Sequence, residues 1–146
     1  MRAAVVCLID KQRVERGLPA LTVSAKLNSS AQSWNDSMVA GGDFSQGTDF
    51  ARRISAAGYD WQTAGENIAT GYPTPQAVVA GWIASTDHCR NILDPSFRNV
   101  GTGETPAPVG GWPGGPATWT QDFALPMGQR PASRNWGPAD GCPYSR

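Results

Sequence analysis

Apolar residues recur at helical spacing through the first third of the chain and alternate or cluster into short runs toward its end. Val5, Val6 and Ile9 mark one face of a helix over about residues 2–16, with Arg13 on its outward side, and Gly17 followed by Pro19 supplies the stop. A second helix starts at Ser24, a residue suited to an N-cap, and carries Leu27, Ala31, Trp34 and Met38 at helical intervals until Gly41-Gly42 closes it. That spacing makes Trp34 a core residue before it is a ligand platform. Phe50 to Ala57 predicts a short third helix closed by Gly58, and Gly65 to Tyr72 reads as a strand. Pro73 and Pro75 then put a proline in the first turn of a helix through Ala77, Val78, Trp82 and Ile83, whose end carries Ser85 and leads to His88. Asn99 to Glu104 and Thr118 to Leu125 predict two strands, separated by GETPAPVGGWPGGP, a lid or a connection without regular structure. From Pro126 onward breakers dominate, and this tail needs contacts or Cys142 to hold it.

The length of 146 residues is that of one domain with one core. Residues 1–125 read as the domain and 126–146 as an extension packed on it or tethered to it. Twelve basic residues balance twelve acidic ones, and Arg52-Arg53 is the only adjacent basic pair, so nucleic acid is not expected as a partner. Ten of the twelve basic residues are Arg, a bias of coding in a high-GC genome. The longest apolar run, Ala3 to Ile9, falls far short of the roughly 20 residues of a membrane span. The first helix begins without a capping residue, as expected where a further segment precedes it. Cysteines at 7, 89 and 142 permit three different single bridges, and a disulfide in an exported protein fits them better than zinc does, because no CxxC spacing occurs.

The chemistry concentrates in GENIA at 65–69 and STDHCRNIL at 85–93, which hold Glu66 and the only histidine, His88. A catalytic zinc usually takes three protein ligands, and a chain with one His supplies too few, so no metal or other cofactor is expected. Ser85 lies three residues before His88, within reach if a helical turn continues, but no GxSxG elbow accompanies it and Thr86-Asp87 can interrupt the turn. Glu66 and His88 can act as base and acid only if they converge in a cleft. Judged on spacing alone, His88 instead pins the end of its helix to the GEN segment while Asn67 satisfies nearby backbone groups.

Several segments in order resemble the CAP superfamily, the cysteine-rich secretory proteins, antigen five and pathogenesis-related proteins, in its bacterial form. CLIDKQRVERGLPAL is similar to the opening helix, SAQSWNDSM to the second, and RRISAAGYDWQTAGENIATG to the segment with the GEN motif. GWIASTDHCRNILDPSFRNVGTG is similar to the W-x-x-S-x-x-H-x-x-N-I-L block with its following strand, and TWTQDF to the closing strand. The resemblance implies an α+β fold, a three-layer α-β-α sandwich with a central antiparallel sheet and a large cleft. In the fullest members two His and two Glu converge on that cleft, sometimes with a divalent cation. Glu66 matches the Glu of GEN and His88 the second His, whereas Gln46 stands where the first His is expected and Ser85 where the second Glu is. Similarity to actinobacterial members further implies a Cys7–Cys89 bridge, which leaves Cys142 free or paired outside the chain.

The resemblance implies a secreted protein without fixing a reaction. The first reading is a binding or interaction module whose cleft, with Gln46, Glu66, Asn67, Ser85 and His88, or whose interhelical grooves take a small ligand, lipid, glycan or peptide. The second is a peptidase-like hydrolase with Glu66 and His88 as catalytic base and acid. The third is a structural extracellular domain.

Overall fold

A computed structural model describes residues 1–46, 49–110, 115–131 and Cys142. Residues 111–114 of the glycine-proline segment, and with them the expectation of a lid, lie outside the described residues, as does the tail beyond 131 apart from Cys142. The elements are α1 (Arg2–Glu15), β1 (Thr22–Val23), α2 (Ala25–Gly41), α3 (Phe50–Ala56), β2 (Trp61–Thr70), α4 (Pro75–Ile83), α5 (Thr86–Ile92), β3 (Asn99–Thr105) and β4 (Thr118–Pro126). Local signals set most boundaries. Ser24 accepts a hydrogen bond from Leu27 N, Thr74 one from Ala77 N with Pro75 in the first turn, and Gly42 ends α2 at φ 65°.

The sheet runs β1-β3-β4-β2. Its three long strands are antiparallel, as expected, while the two-residue β1 adds a parallel edge against Asn99 and Val100 and makes the whole sheet mixed. α1, α4 and α5 cover one face, and α2 and α3 the other. The sandwich closes tightly over α2 because β3 offers glycines there: a Cβ on Gly101 or Gly103 would overlap the α2 backbone at Leu27-Asn28 or Ala31-Gln32. The larger core cluster joins Val5, Ile9, Val78, Trp82, Trp119 and Phe123 on the α1 side.

Two expectations about α1 fail. Arg13 is not outward but fully buried. Its guanidinium donates to Pro19 O at 2.9 Å, Ile92 O at 2.8 Å, Asp94 O at 2.9 Å and Phe97 O at 3.3 Å. Carbonyls at the end of α5 lack intrahelical partners, and a charged fork arriving from α1 satisfies them. The Cys7–Cys89 bridge is absent: Cys89 pairs with Cys142 at a Cα separation of 5.7 Å, and Cys7 is an exposed free thiol. The buried stripe of α1 is Val5, Ile9 and Arg13, four residues apart, which turns Cys7 to the opposite side. Cys89 is fully buried, and Cys142, buried as well, is its partner.

Candidate functional site

Strand β2 lies at the sheet edge and carries Glu66 and Asn67 side by side. Successive side chains of a strand point to opposite faces, so these neighbours look into different layers. Glu66 faces α2 and α3. Its carboxylate accepts from Arg53 Nη1 at 2.8 Å and Nη2 at 2.9 Å, a two-point ion pair whose Glu side chain is fully buried. Arg53 also donates to Gln46 O at 3.1 Å, and its guanidinium carbon lies 4.2 Å from the centroid of the Trp34 ring. Trp34, half-buried against Met38 and Ile68, donates from Nε1 to Ser45 O.

Directly across the ladder from Glu66 stands the fully buried Asp122 of β4. Ser30 Oγ of α2 donates to Asp122 Oδ2 at 2.7 Å. Burial pushes the Asp122 carboxyl well above the usual carboxylate range and the Glu66 carboxylate pushes the same way, against the opposing pull of Ser30 and Arg53.

On the other face, Asn67 Nδ2 donates to His88 O at 3.1 Å. Asn91 Nδ2 donates to Asn67 Oδ1 at 2.9 Å and to Glu66 O at 3.1 Å, fastening α5 to the strand through neutral amides. Ser85 is the N-cap of α5, yet its hydroxyl makes no cap bond and shares a 2.9 Å hydrogen bond with His88 Nδ1. Burial lowers the His88 pKa from 6.5, and Asp87 only partly opposes it. Gln46 is exposed and closes the far wall, donating from Nε2 to Glu66 O at 3.1 Å.

Gln46, Phe50, Glu66, Ser85, His88 and Asn91 thus border one hollow of about 520 Å³ at the edge of β2. Within it the Glu66 carboxylate and the His88 imidazole have separate partners on opposite faces of the strand. Spacing along the chain does not single out Arg53, Asp122 or Asn91. Asp122 had a usable signal: an acid in the middle of an otherwise core-forming strand needs a buried partner.

Residues 7–123 match the family model of the cysteine-rich secretory protein family, CAP. The chain belongs to the CAP family. It is 33% identical over 124 residues to the uncharacterized Bacillus subtilis protein YkwD, covering 82% of this chain and 45% of YkwD. A 51-residue match, 37% identical, joins it to the uncharacterized B. subtilis membrane protein YlbC, over 35% of this chain and 15% of that one. The chain therefore spans less than half the length of these relatives. Among solved structures, an extracellular SCP-domain protein of Bacillus anthracis superposes with a TM-score of 0.74 at 24% identity, over 84% of this chain and 39% of that one. An outer surface protein of Borrelia burgdorferi does so at 0.72 and 17% identity, over 84% and 90%. Both share the CAP fold.

The cation that some CAP members hold does not fit the residues present here. Gln46 and Ser85 bring a neutral amide and a hydroxyl to the hollow, and the Gln46 amide nitrogen is engaged with Glu66 O. Both Glu66 oxygens accept from Arg53, whose positive charge repels a second cation at that carboxylate. Among the described residues no three His, Cys, Asp or Glu side chains gather as a metal site, and no helix is long and apolar enough to cross a membrane.

Proposed function

We propose that this CAP domain is a secreted binding module that takes a polar extracellular ligand, a glycan fragment or a peptide segment, in the hollow beside β2. The carrying observation is the two-point Glu66–Arg53 pair with no exposure of the Glu66 side chain. A carboxylate held at both oxygens is a poor proton acceptor for a substrate, which argues against Glu66 and His88 as a base and acid pair. What remains open to a ligand is a wall of amides and hydroxyls, the Phe50 ring, and the exposed Arg90 with Asp87 at the rim. Such a mixture of donors, acceptors and one apolar face suits hydroxyl-rich or amide-rich groups.

Secretion is supported by the Cys89–Cys142 bridge, since disulfides persist in oxidising compartments, and by relatives described as extracellular or outer surface proteins. A larger hollow of about 780 Å³ between α1 and α4 is lined by Leu8, Val79, Ala80 and Ile83 with Lys11 at its rim, and it favours a lipid as a second class of ligand.

The test is amide-resonance titration of labelled protein with short glycans, peptides and a fatty acid. Shifts at Gln46, Ser85, His88 and Asn91, weakened by His88→Ala without loss of fold, are expected for glycan or peptide. Shifts confined to α1 and α4 would transfer the function to the apolar hollow. Turnover of a substrate that Glu66→Gln and His88→Ala both abolish would restore the hydrolase. If both substitutions only lower stability, by about 1–3 kcal/mol, the domain is structural.

A further inference from the structure

The wall of the hollow that carries Gln46 is anchored from beneath by two buried carboxyl groups, Glu66 and Asp122, and the partly buried guanidinium of Arg53. Three ionised groups would leave one uncompensated negative charge where Asp122 has no exposure and Glu66 is 2% exposed. Burial of an unpaired carboxylate is among the most costly arrangements in a protein interior, and such a group takes up a proton instead. The hydrogen bonds locate the proton. Both Glu66 oxygens accept from Arg53, so Glu66 is the ionised partner. Asp122 Oδ2 accepts from Ser30, whereas Oδ1 is buried with no hydrogen-bond partner among the described residues. Two bare carboxylates in contact repel, and a proton on one turns the contact into a hydrogen bond.

We propose that Asp122 is a carboxylic acid at neutral pH and that its proton, donated from Oδ1 to Glu66, positions the Glu66–Arg53 pair that holds the Gln46 side of the hollow. Asp122 is therefore a positioning residue of that site. The groups facing it are Glu66 from β2, Arg53 from α3 and Ser30 from α2, while its β3 neighbour, Gly101, brings no side chain. The link to ligand binding rests on the function proposed above; the protonation does not.

A group that binds its proton more tightly folded than unfolded stabilises the fold fully below its unfolded pKa, and that contribution is lost as pH rises through the folded value. The unfolding equilibrium constant should then rise by up to about tenfold per pH unit above roughly pH 4, until Asp122 ionises in the folded protein. Asp122→Asn keeps the shape and offers an N–H to Glu66 in place of the O–H, so it should fold, retain the Gln46 and Arg53 resonances, and lose this slope. Asp122→Ala should shift those resonances.

The experiment is carboxyl carbon NMR of the Asp122 side chain in the unmodified protein, combined with urea unfolding of wild type and Asp122→Asn across pH. The expected result is a protonated-acid signal at pH 7 and a pH slope that Asp122→Asn removes. A carboxylate signal at pH 7, or the same slope in Asp122→Asn, overturns the proposal. Unmoved Gln46 and Arg53 resonances in Asp122→Ala overturn the positioning role. The carboxyl signal is read without any ligand, so it stands even if the hollow binds nothing.

Discussion

Glu66 and Asn67 are adjacent in sequence, and the two faces of β2 to which they belong bury polar groups by different means. The Glu66 face uses charge: a buried carboxylate, a second buried acid opposite it, and a partly exposed guanidinium stacked on Trp34. The Asn67 face uses neutral amides, which hold α5 in place while Ser85 and the half-buried His88 still border the hollow. The lesson is that the acid of the GEN motif is closed and the histidine is open. A buried charge demands complete pairing, whereas an amide network tolerates an exposed margin.

The hardest blow to the charged face is Arg53→Ala, which strands Glu66 as an unpaired buried carboxylate and removes the stack on Trp34. A loss of about 3–5 kcal/mol is expected in urea unfolding. A loss below about 1 kcal/mol would mean that the pair behaves as a solvated one and that the two faces do not differ.

The other face has a covalent fastening as well. Cys142→Ser should cost about 2–4 kcal/mol, because the bridge from Cys89 constrains an unfolded loop with a sequence separation of 53. Cys7→Ser, at an exposed thiol, should stay within about 0.5 kcal/mol of wild type. Alkylation of the unreduced, unfolded chain should mark Cys7 alone, and a label on Cys142 would refute the bridge.

Asn67→Ala tests the amide network without touching a charge. Its amide links His88 O and Asn91, so about 1–3 kcal/mol is expected together with shifted α5 resonances. A cost equal to that of Arg53→Ala would erase the distinction between the faces.

The smallest effect is that of pH on His88. Its pKa is held below 6.5 by burial, so the folded state carries less proton there than the unfolded one. The stability this contributes is present above about pH 6.5 and shrinks as pH falls through the folded value. Ring titration by NMR should give a midpoint below 6.5, and a midpoint at or above it would place His88 in open solvent.

The helices and strands are legible in the chain because their signals are local. Ser24 and Thr74 cap, Pro75 opens a turn, Gly42 and Gly58 close helices, and apolar spacing marks the buried stripes. Gln46, Glu66, Ser85 and His88 line one hollow in the structure, and the interval from Ser85 to His88 is the one that lets their hydrogen bond form. Partner choice across long sequence distances was not legible. Nothing near Arg13 announces four carbonyl partners, three of them in the segment that ends α5 and leads into β3, and cysteine positions alone do not separate Cys142 from Cys7 as the mate of Cys89. Glu66 meets Asp122 only because β2 and β4 pair in one register, and a one-residue slip would turn either side chain to the opposite face. Sequence patterns settle which surface of each element is buried. Only the assembled sheet and its two helical layers decide which charges, amides and thiols meet there, because those meetings depend on register and packing between segments remote along the chain.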